Sequence, residues 1–215
     1  MRATCPLGNS YHNDVEPTAI VLAVLLGLGL SASTGLNTFL PLLLLSAAAR
    51  FHIAGIELGA RFDWLSNDVA IVVLIVATIV EIVGDKVPAV DHFLDAIGTF
   101  IRPLAATVAT ASVLTGADVN PTVAAVVGIM IGAPTSLGFH TLKAGTRVAS
   151  SAATFGCANP LLSLIEDVVS FGLSMLAIFA PLAVPVAMAL LVWLLWLVAK
   201  RIRARSTTAP VGSAP

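Results

Sequence analysis

The hydrophobic pattern of the chain consists of long apolar stretches separated by short polar connections. A helix of about 20 apolar residues is long enough to cross the hydrocarbon core of a bilayer. The stretches lie at about residues 18–49, 67–84, 103–115, 121–138, 158–180 and 182–199. The pattern therefore predicts an all-α integral membrane protein with about six transmembrane segments.

The first apolar stretch is too long for one straight span. Its polar residues between Ser31 and Thr38 do not fall on one helical face. Membrane proteins tolerate an interrupted helix where the freed backbone groups lie within protein or line a polar cavity. We therefore expect a broken first helix, and its interruption makes Asn37 a candidate for binding an ion or solute.

The composition agrees with a membrane protein and limits the partners to be expected. Of 215 residues, 58% are hydrophobic and only 11% charged, and the mean hydropathy is +0.98. Soluble domains contain nearer a quarter charged residues. The net charge of −1 provides no field that would attract nucleic acid. The expected partners are the lipid bilayer and a small ion or solute, homo-oligomerisation is left open, and no cofactor is indicated.

The basic residues from Lys200 to Arg205 end the last apolar segment and set the orientation. Cytoplasmic flanks of membrane segments carry an excess of Lys and Arg. Counting back through six segments places both termini in the cytoplasm. The domains are then a cytoplasmic segment (1–16), a single membrane domain (17–200) and a basic, then disordered, cytoplasmic tail (201–215). The two halves would enter the membrane from opposite sides, as in a 3+3 inverted repeat.

The stretch at 158–180 has one continuous polar face. Its polar residues fall within about 100° of arc at the helical period. Three of them are candidates for ion or solute binding: Asn159, Glu166 and Asp167. A carboxylate within a span costs about 2.5–3.5 kcal/mol on insertion scales, so it needs a partner, a proton or a polar cavity. The face is therefore either a buried structural pairing with Lys or Arg, or the wall of a functional cavity.

A second acidic face lies near the end of the stretch at 67–84. Thr78, Glu81 and Asp85 are spaced at i, i+3 and i+7, so they share one side of a helix. Asp85 and the following Lys86 also fit a role as interfacial anchors. Glu81 lies one turn deeper, and Glu81 and Asp85 are both candidates for ion binding.

Residues 88–102 predict an amphipathic helix on the cytoplasmic side. Its polar face collects Asp91, His92, Asp95 and Arg102. One interpretation is a helix lying at the membrane surface. The other is a cation or metal site formed by Asp91, His92 and Asp95, because carboxylate and imidazole groups one turn apart can converge on one ion.

A basic stripe lies between the fourth and fifth stretches, on the same predicted side. His140, Lys143 and Arg147 recur at spacings of three and four. The stripe either neutralises the acidic face of residues 88–102 or holds the phosphate of a lipid or substrate. Arg102, Lys143 and Arg147 are therefore candidates for binding a phosphate or lipid headgroup.

Several segments together resemble a known family. They are LSASTGLNTFLP from Leu30, DKVPAVDH from Asp85, DAIGTFIRP from Asp95 and NPLLSLIED from Asn159. They resemble an uncharacterised family of bacterial multi-pass membrane proteins, domain of unknown function (DUF4126), over roughly residues 20 to 195. The resemblance implies a compact membrane domain in a bacterial plasma (inner) membrane and supplies no catalytic residues.

A second similarity is to cation/proton exchangers that carry Glu-x-Gly-Asp-Lys/Arg-Thr/Ser within a span. The corresponding segment here is Glu81-Ile-Val-Gly-Asp85-Lys86. It has one additional residue before the glycine, Val87 replaces the hydroxyl residue, and the chain has no second copy of the motif.

These observations lead to three functional hypotheses. The first is a small secondary transporter or channel-like protein that moves a cation or small solute through a carboxylate-lined cavity. The second is a non-transporting scaffold or assembly protein, whose polar faces join helices. The third is a metal-dependent membrane enzyme acting on a lipid phosphate. The sequence contains no recognised catalytic motif, which favours a function other than catalysis.

Overall fold

The computed structural model describes residues 16–155 and 157–206, and within these residues it contains helices and turns but no strand. The all-α prediction is confirmed for this part of the chain. The predicted N-terminal segment, up to residue 15, and the tail after residue 206 lie outside the described residues, as do the side chains of the basic cluster at 200–205.

Eight α-helices make up the described chain. They are α1 (Pro17–Leu36), α2 (Phe39–Arg50), α3 (Asp68–Gly84), α4 (Pro88–Gly116), α5 (Pro121–Val127), α6 (Ala133–Thr154), α7 (Asn159–Phe179) and α8 (Val184–Ser206). Several begin with residues that favour helix starts. Asn67 and Asn120 accept hydrogen bonds from the backbone amides of Val69 and Thr122, which satisfies one free donor at each helix start.

Helix α1 is the centre of the bundle, and it packs against α4, α6 and α7. Small residues permit these close approaches. A Cβ atom at Gly27 would lie 2.9 Å from Thr110 Cγ2, and one at Gly29 would lie 2.7 Å from Ala177 Cβ. In membrane bundles, close backbone packing replaces the hydrophobic driving force that water would provide. The glycines therefore set how closely the neighbouring helices approach α1.

Four helical segments are long and apolar enough to cross a membrane. They are Pro17–Leu36, Phe93–Gly116, Pro121–Ala152 and Asn159–Phe179. The pair Ala60–Ser66 and Asp68–Gly84, bent by 59°, would make a fifth. Phe39–Arg50 and Pro181–Leu194 are shorter apolar helices. These helices indicate a membrane-embedded protein, in agreement with the hydrophobic pattern.

The interruption of the first apolar stretch is shorter than predicted. The sequence predicted a break from Ser31 to Thr38, but α1 remains helical through Leu36. The Thr34 hydroxyl donates to the Leu30 carbonyl at 2.6 Å, and Ser33 donates to the same carbonyl at 3.0 Å. Hydroxyls that bond to the preceding turn are compatible with a continuing helix. Only Asn37 and Thr38 separate α1 from α2.

Helix α4 corrects a predicted boundary at Pro103. Residues 88–102 and 103–115 were predicted as a surface helix and a separate short segment, but they form one helix with Pro103 inside it. Both ends of the polar face of its first half are buried, whereas Asp95 between them is partly exposed. Asp91 is 6% exposed and Arg102 is fully buried. Pairing of these charges with other helices explains why this half is drawn into the bundle.

Candidate functional site

Ten charged side chains converge around the break between α1 and α2, at the end of the bundle where α3 ends and α4 begins. We call this set the buried charge network. Its members are Glu81, Asp85, Lys86, Asp91, Asp95, Arg102, Lys143, Arg147, Glu166 and Asp167. Lys86 and Asp95 are the members that reach solvent most, with side chains 37% and 21% exposed.

Glu81 of α3 caps the start of α2. Its carboxylate accepts hydrogen bonds from the backbone amide of Thr38 at 2.9 Å, the Thr38 hydroxyl at 2.7 Å and the Phe39 amide at 3.1 Å. The first amides of a helix have no partner within the helix and carry the positive end of its dipole. The negative charge of Glu81 is therefore placed where it stabilises α2.

Cations hold the opposite side of the break, at the end of α1. Arg102 Nη1 donates to the Gly35 carbonyl at 3.2 Å, and Lys143 Nζ donates to the Leu36 carbonyl at 3.0 Å. The last carbonyls of a helix carry the negative end of its dipole. Both ends exposed by the break are thus bound by charges of the opposite sign.

Arg102 joins the two sides of the break. Its Nε donates to the Thr38 hydroxyl at 3.3 Å, and its Nη2 lies 3.4 Å from Asp95 Oδ1 and 3.6 Å from Glu81 Oε1. The side chain is 1% exposed. A guanidinium keeps its charge in proteins. The carboxylates of Asp95 and Glu81 and the Gly35 carbonyl therefore compensate the cost of burying Arg102.

The ring of His140 is neutral in this arrangement. Its Nδ1 hydrogen-bonds with Arg102 Nη1, and its Nε2 lies 3.1 Å from the Thr99 hydroxyl. A guanidinium can only donate, so Nδ1 accepts and the ring proton is carried by Nε2. His140 therefore adds no positive charge to the network.

Asp85, directly after α3, and Glu166 of α7 share two cations of α6. Lys143 Nζ lies 2.8 Å from Asp85 Oδ2 and 3.5 Å from Glu166 Oε2. Arg147 Nη2 lies 3.2 Å from the same oxygen of Asp85 and 2.8 Å from that of Glu166. The second oxygens, Asp85 Oδ1 and Glu166 Oε1, are buried without a hydrogen-bond partner among the described residues.

Arg147 also neutralises the acidic face of α4. Its Nη1 bonds to Asp91 and lies 3.8 Å from Asp95 Oδ2. Two roles were predicted for the basic stripe, and the contacts of Arg147 correspond to the first, pairing with this acidic face. The metal site at Asp91, His92 and Asp95 stays a prediction, and both of its aspartates bind arginines. The side chain of His92 lies outside the described residues, and among those described no three His, Cys, Asp or Glu groups could hold a metal.

Asn37, the first residue of the break, links α1 to α7. Its Nδ2 donates to Asp167 Oδ1 at 3.0 Å, and its Oδ1 accepts from the Leu40 amide at 3.2 Å. Lys86 Nζ lies 3.4 Å from Asp167 Oδ2. Asn159, at the start of α7, instead donates to the Ser151 hydroxyl at 3.0 Å and is not part of this contact.

A family model matches residues 24–201, a range that contains every member of the buried charge network. The chain belongs to the family described as domain of unknown function (DUF4126). This confirms the family indicated by the sequence segments. No curated protein and no solved structure matches the chain. The family description therefore assigns no activity to the buried charge network of this DUF4126 protein.

The sequence pattern of the DUF4126 chain identified most of the network but missed how Thr38 and His140 take part. Thr38 was visible only as the last polar residue of the interrupted stretch, and His140 only as part of the basic stripe. Position offered one usable signal, since Thr38 directly precedes a helix and its hydroxyl and amide are then free to bind an acceptor. Nothing in the sequence showed that Lys86 of this DUF4126 protein contacts Asp167.

Proposed function

We propose that the protein is a small secondary transporter that moves a cation or small solute across the membrane. The observation that carries the proposal is the break between α1 and α2, whose two helix ends are buried and bound by opposite charges. Secondary transporters use such discontinuous helices to present backbone groups and dipole ends to a substrate. The break here has the same parts, together with carboxylates that a cation can bind.

The energetic cost of the network supports a functional role. Removing ions from water is costly, and replacing a buried ion pair by apolar residues is often neutral or stabilising. Lys143 and Asp85 form such a pair at 2.8 Å, and each side chain is 1% exposed. A buried network of this size is therefore better explained by a requirement for charge than by stability.

The present arrangement is closed, since each cation of the network contacts at least one carboxylate. An entering cation would have to replace Lys143 or Lys86 as the partner of a carboxylate. The ligands of the proposed path are Asn37, Glu81, Asp85, Glu166 and Asp167, with Asn159 farther along α7. Arg102, Lys143 and Arg147 would act as the countercharges that release and recapture these carboxylates.

The course of the chain limits the inverted repeat that the sequence predicted. Helix α1 runs antiparallel to α4, since Gly35 lies beside Arg102 and Gly27 beside Thr110. Helix α2 runs antiparallel to α3, since Thr38 lies beside Glu81 and Arg50 beside Asp68. The starts of α1 and α3 therefore lie at the same end of the bundle, and the chain turns back at Asn37 and Thr38. The proposal keeps a bacterial plasma membrane as the location, and the 3+3 repeat and the orientation of the termini do not form part of it.

The proposal is tested by flux in proteoliposomes containing the purified chain. Gradients of H⁺, Na⁺, K⁺ and small organic solutes are applied, and uptake is compared between the wild type, Asp85→Asn and Glu166→Gln. Asp68→Asn is the matched control, because Asp68 lies at the opposite end of α3 and its side chain is 77% exposed. We expect the wild type and the control to transport one of these species, and both buried variants to lose that flux while they still insert.

Two results would contradict the proposal. One is an absence of wild-type flux for every species tested in protein that is folded by size-exclusion chromatography. The other is wild-type flux that both Asp85→Asn and Glu166→Gln retain in full.

A non-transporting scaffold is the second candidate, and the closed pairing of the network favours it. Helix seams in membranes are commonly joined by polar groups that are satisfied within the protein. A detergent pull-down that recovers a stoichiometric partner, together with misassembly of Glu81→Gln and Glu166→Gln and no flux, would support the scaffold. The enzyme hypothesis is not carried further, because Lys143 and Arg147 bind carboxylates rather than presenting a free phosphate site.

A further inference from the structure

We propose that Asp85 and Glu166 together bind one proton, and that this proton is the ion coupled to transport. The coupling deepens the proposed function and rests on it. The binding of the proton does not, because it follows from the charges and contacts of the network and can be measured without any flux.

The first argument is charge balance. Full ionisation of the network would give six carboxylates and four cations, an excess of two negative charges. Arg102 and Arg147 cannot give up a proton, and His140 is neutral because its Nδ1 accepts from Arg102. Among the described residues no further cation pairs with these carboxylates. An uncompensated buried charge is costly, so positive charge must enter as protons or as a metal cation.

Solvent can compensate part of this excess negative charge, but only at the edge of the network. The side chain of Asp95 is 21% exposed, whereas those of Asp85 and Glu166 are 1% and 8% exposed. A metal cation is a poor alternative, since the described residues bring no three His, Cys, Asp or Glu groups together around one point. The remaining positive charge is therefore best supplied by a proton on a buried carboxyl.

The contacts indicate which carboxyls hold it. Glu81 accepts from two backbone amides and a hydroxyl, and Asp91 is bound by Arg147. Asp85 and Glu166 instead compete for the same two cations through one oxygen each, and their other oxygens have no partner. A proton on either of these free oxygens removes one buried negative charge, and the other oxygen of that carboxyl can still accept hydrogen bonds from Lys143 and Arg147.

All the charged and titratable groups that surround this pair belong to the network or contact it. Within residues 16–155 and 157–206, leaving aside the side chain of His92, they are Glu81 of α3, Lys86 of the turn after α3, Asp91, Asp95 and Arg102 of α4, His140, Lys143 and Arg147 of α6, and Asp167 of α7. Ser163 lies one helical turn before Glu166, and its buried hydroxyl also has no partner among the described residues. A neutral carboxyl in this position can donate to a hydroxyl, whereas a carboxylate cannot.

Binding and release of the proton would change how strongly α6 is held. With both carboxyls ionised, Asp85 and Glu166 attract Lys143 and Arg147 with two negative charges. With one proton bound, a single negative charge remains for the same two cations, which makes it easier for α6 to separate from α3 and α7. The proton returns to water when the pair next contacts solvent, so no other reactant is required.

Infrared spectroscopy of the purified full-length chain tests the proposal. A protonated carboxyl has a carbonyl stretching band that is separate from carboxylate bands and shifts in D₂O. We expect the wild type at neutral pH to show such a band, with the intensity of one carboxyl per chain. The band should disappear in Asp85→Asn or Glu166→Gln and persist in Asp68→Asn. Labelling the wild type with ¹³C-aspartate or ¹³C-glutamate assigns the band even if a variant does not fold.

The proposal is overturned if the wild type has no such band at neutral pH, or if the band is unaffected in both buried variants. Its absence together with thermal stabilisation by Na⁺ or Ca²⁺ would show that a metal cation fills the role. Failure of the proposed function is distinguishable, because a band without flux refutes transport alone. Flux without a band refutes the proton site alone.

Discussion

The carboxylate of Glu81 accepts hydrogen bonds from both the backbone amide and the hydroxyl of Thr38, at 2.9 Å and 2.7 Å. The two residues are 43 positions apart in the chain. Their contact makes the start of α2 depend on a side chain of α3, because no residue of α2 itself caps that helix. The break in the first apolar stretch is thus maintained by tertiary structure.

Replacing Glu81 by Gln should destabilise the protein. The amide keeps the shape of the side chain but removes the negative charge at the start of α2 and the partner of Arg102. Hydrogen bonds to charged groups contribute about 1.5–3 kcal/mol, and we expect a loss of that order in the free energy of unfolding. Denaturation in detergent measures it. Glu57→Gln is the control, since Glu57 is exposed, and an equal effect of both changes would contradict the prediction.

Two substitutions of Thr38 distinguish the contribution of its hydroxyl to stability from that of its packing. The hydroxyl donates to Glu81 and accepts from Arg102 Nε at 3.3 Å, so Thr38→Val removes one hydrogen bond from each of two buried charged groups. We expect Thr38→Val to lower the free energy of unfolding by about 1–3 kcal/mol. Thr38→Ser keeps the hydroxyl and should recover most of the loss. Denaturation in detergent measures both variants. A serine variant as unstable as the valine variant would show that packing of the side chain dominates.

Arg102→Lys should be nearly as harmful as Arg102→Ala. A lysine ammonium cannot match the planar guanidinium that contacts Gly35, Thr38 and Asp95 at once. Breaking a buried charge pair destabilises by about 3–5 kcal/mol, so the yield of folded protein should fall sharply for both variants. Size-exclusion chromatography after detergent extraction measures that yield. Arg61→Lys, at an exposed site, should leave it unchanged. A normal yield for Arg102→Lys would mean that charge alone is sufficient at this position.

Two glycines of the second half test the close packing of α4 against the π-helical turn. A Cβ atom at Gly132 would lie 2.9 Å from the Ala106 carbonyl oxygen, whereas one at Gly138 would have nothing within 4 Å. Gly132→Ala should therefore destabilise by about 1–3 kcal/mol, as overpacking does. Gly138→Ala should be neutral or stabilise α6 by about 0.5–1 kcal/mol. Thermal unfolding in detergent compares the two, and similar midpoints would show that α4 yields to the added methyl group.

The sequence predicted the helical class, the membrane character and most members of the network. Polar faces at helical spacing were sufficient to select Glu81, Asp85, Glu166 and Asp167, because charged residues are rare in apolar stretches and stand out there. The prediction was less successful at boundaries. Pro103 was taken as the start of a segment, but it lies within α4, since packing of both halves of that helix outweighs the loss of one backbone donor.

The order of residues along the chain therefore shows which side chains cannot remain in lipid without a partner. Apolar length and the spacing of the few charges are local properties of the chain and need no knowledge of the fold. The partners of these charges follow from the tertiary structure. Arg147 of α6 contacts Asp85 after α3, Asp91 of α4 and Glu166 of α7, and Lys143 reaches the end of α1. Pairing across helices depends on their mutual rotation and distance. These are set jointly by side chains throughout the bundle.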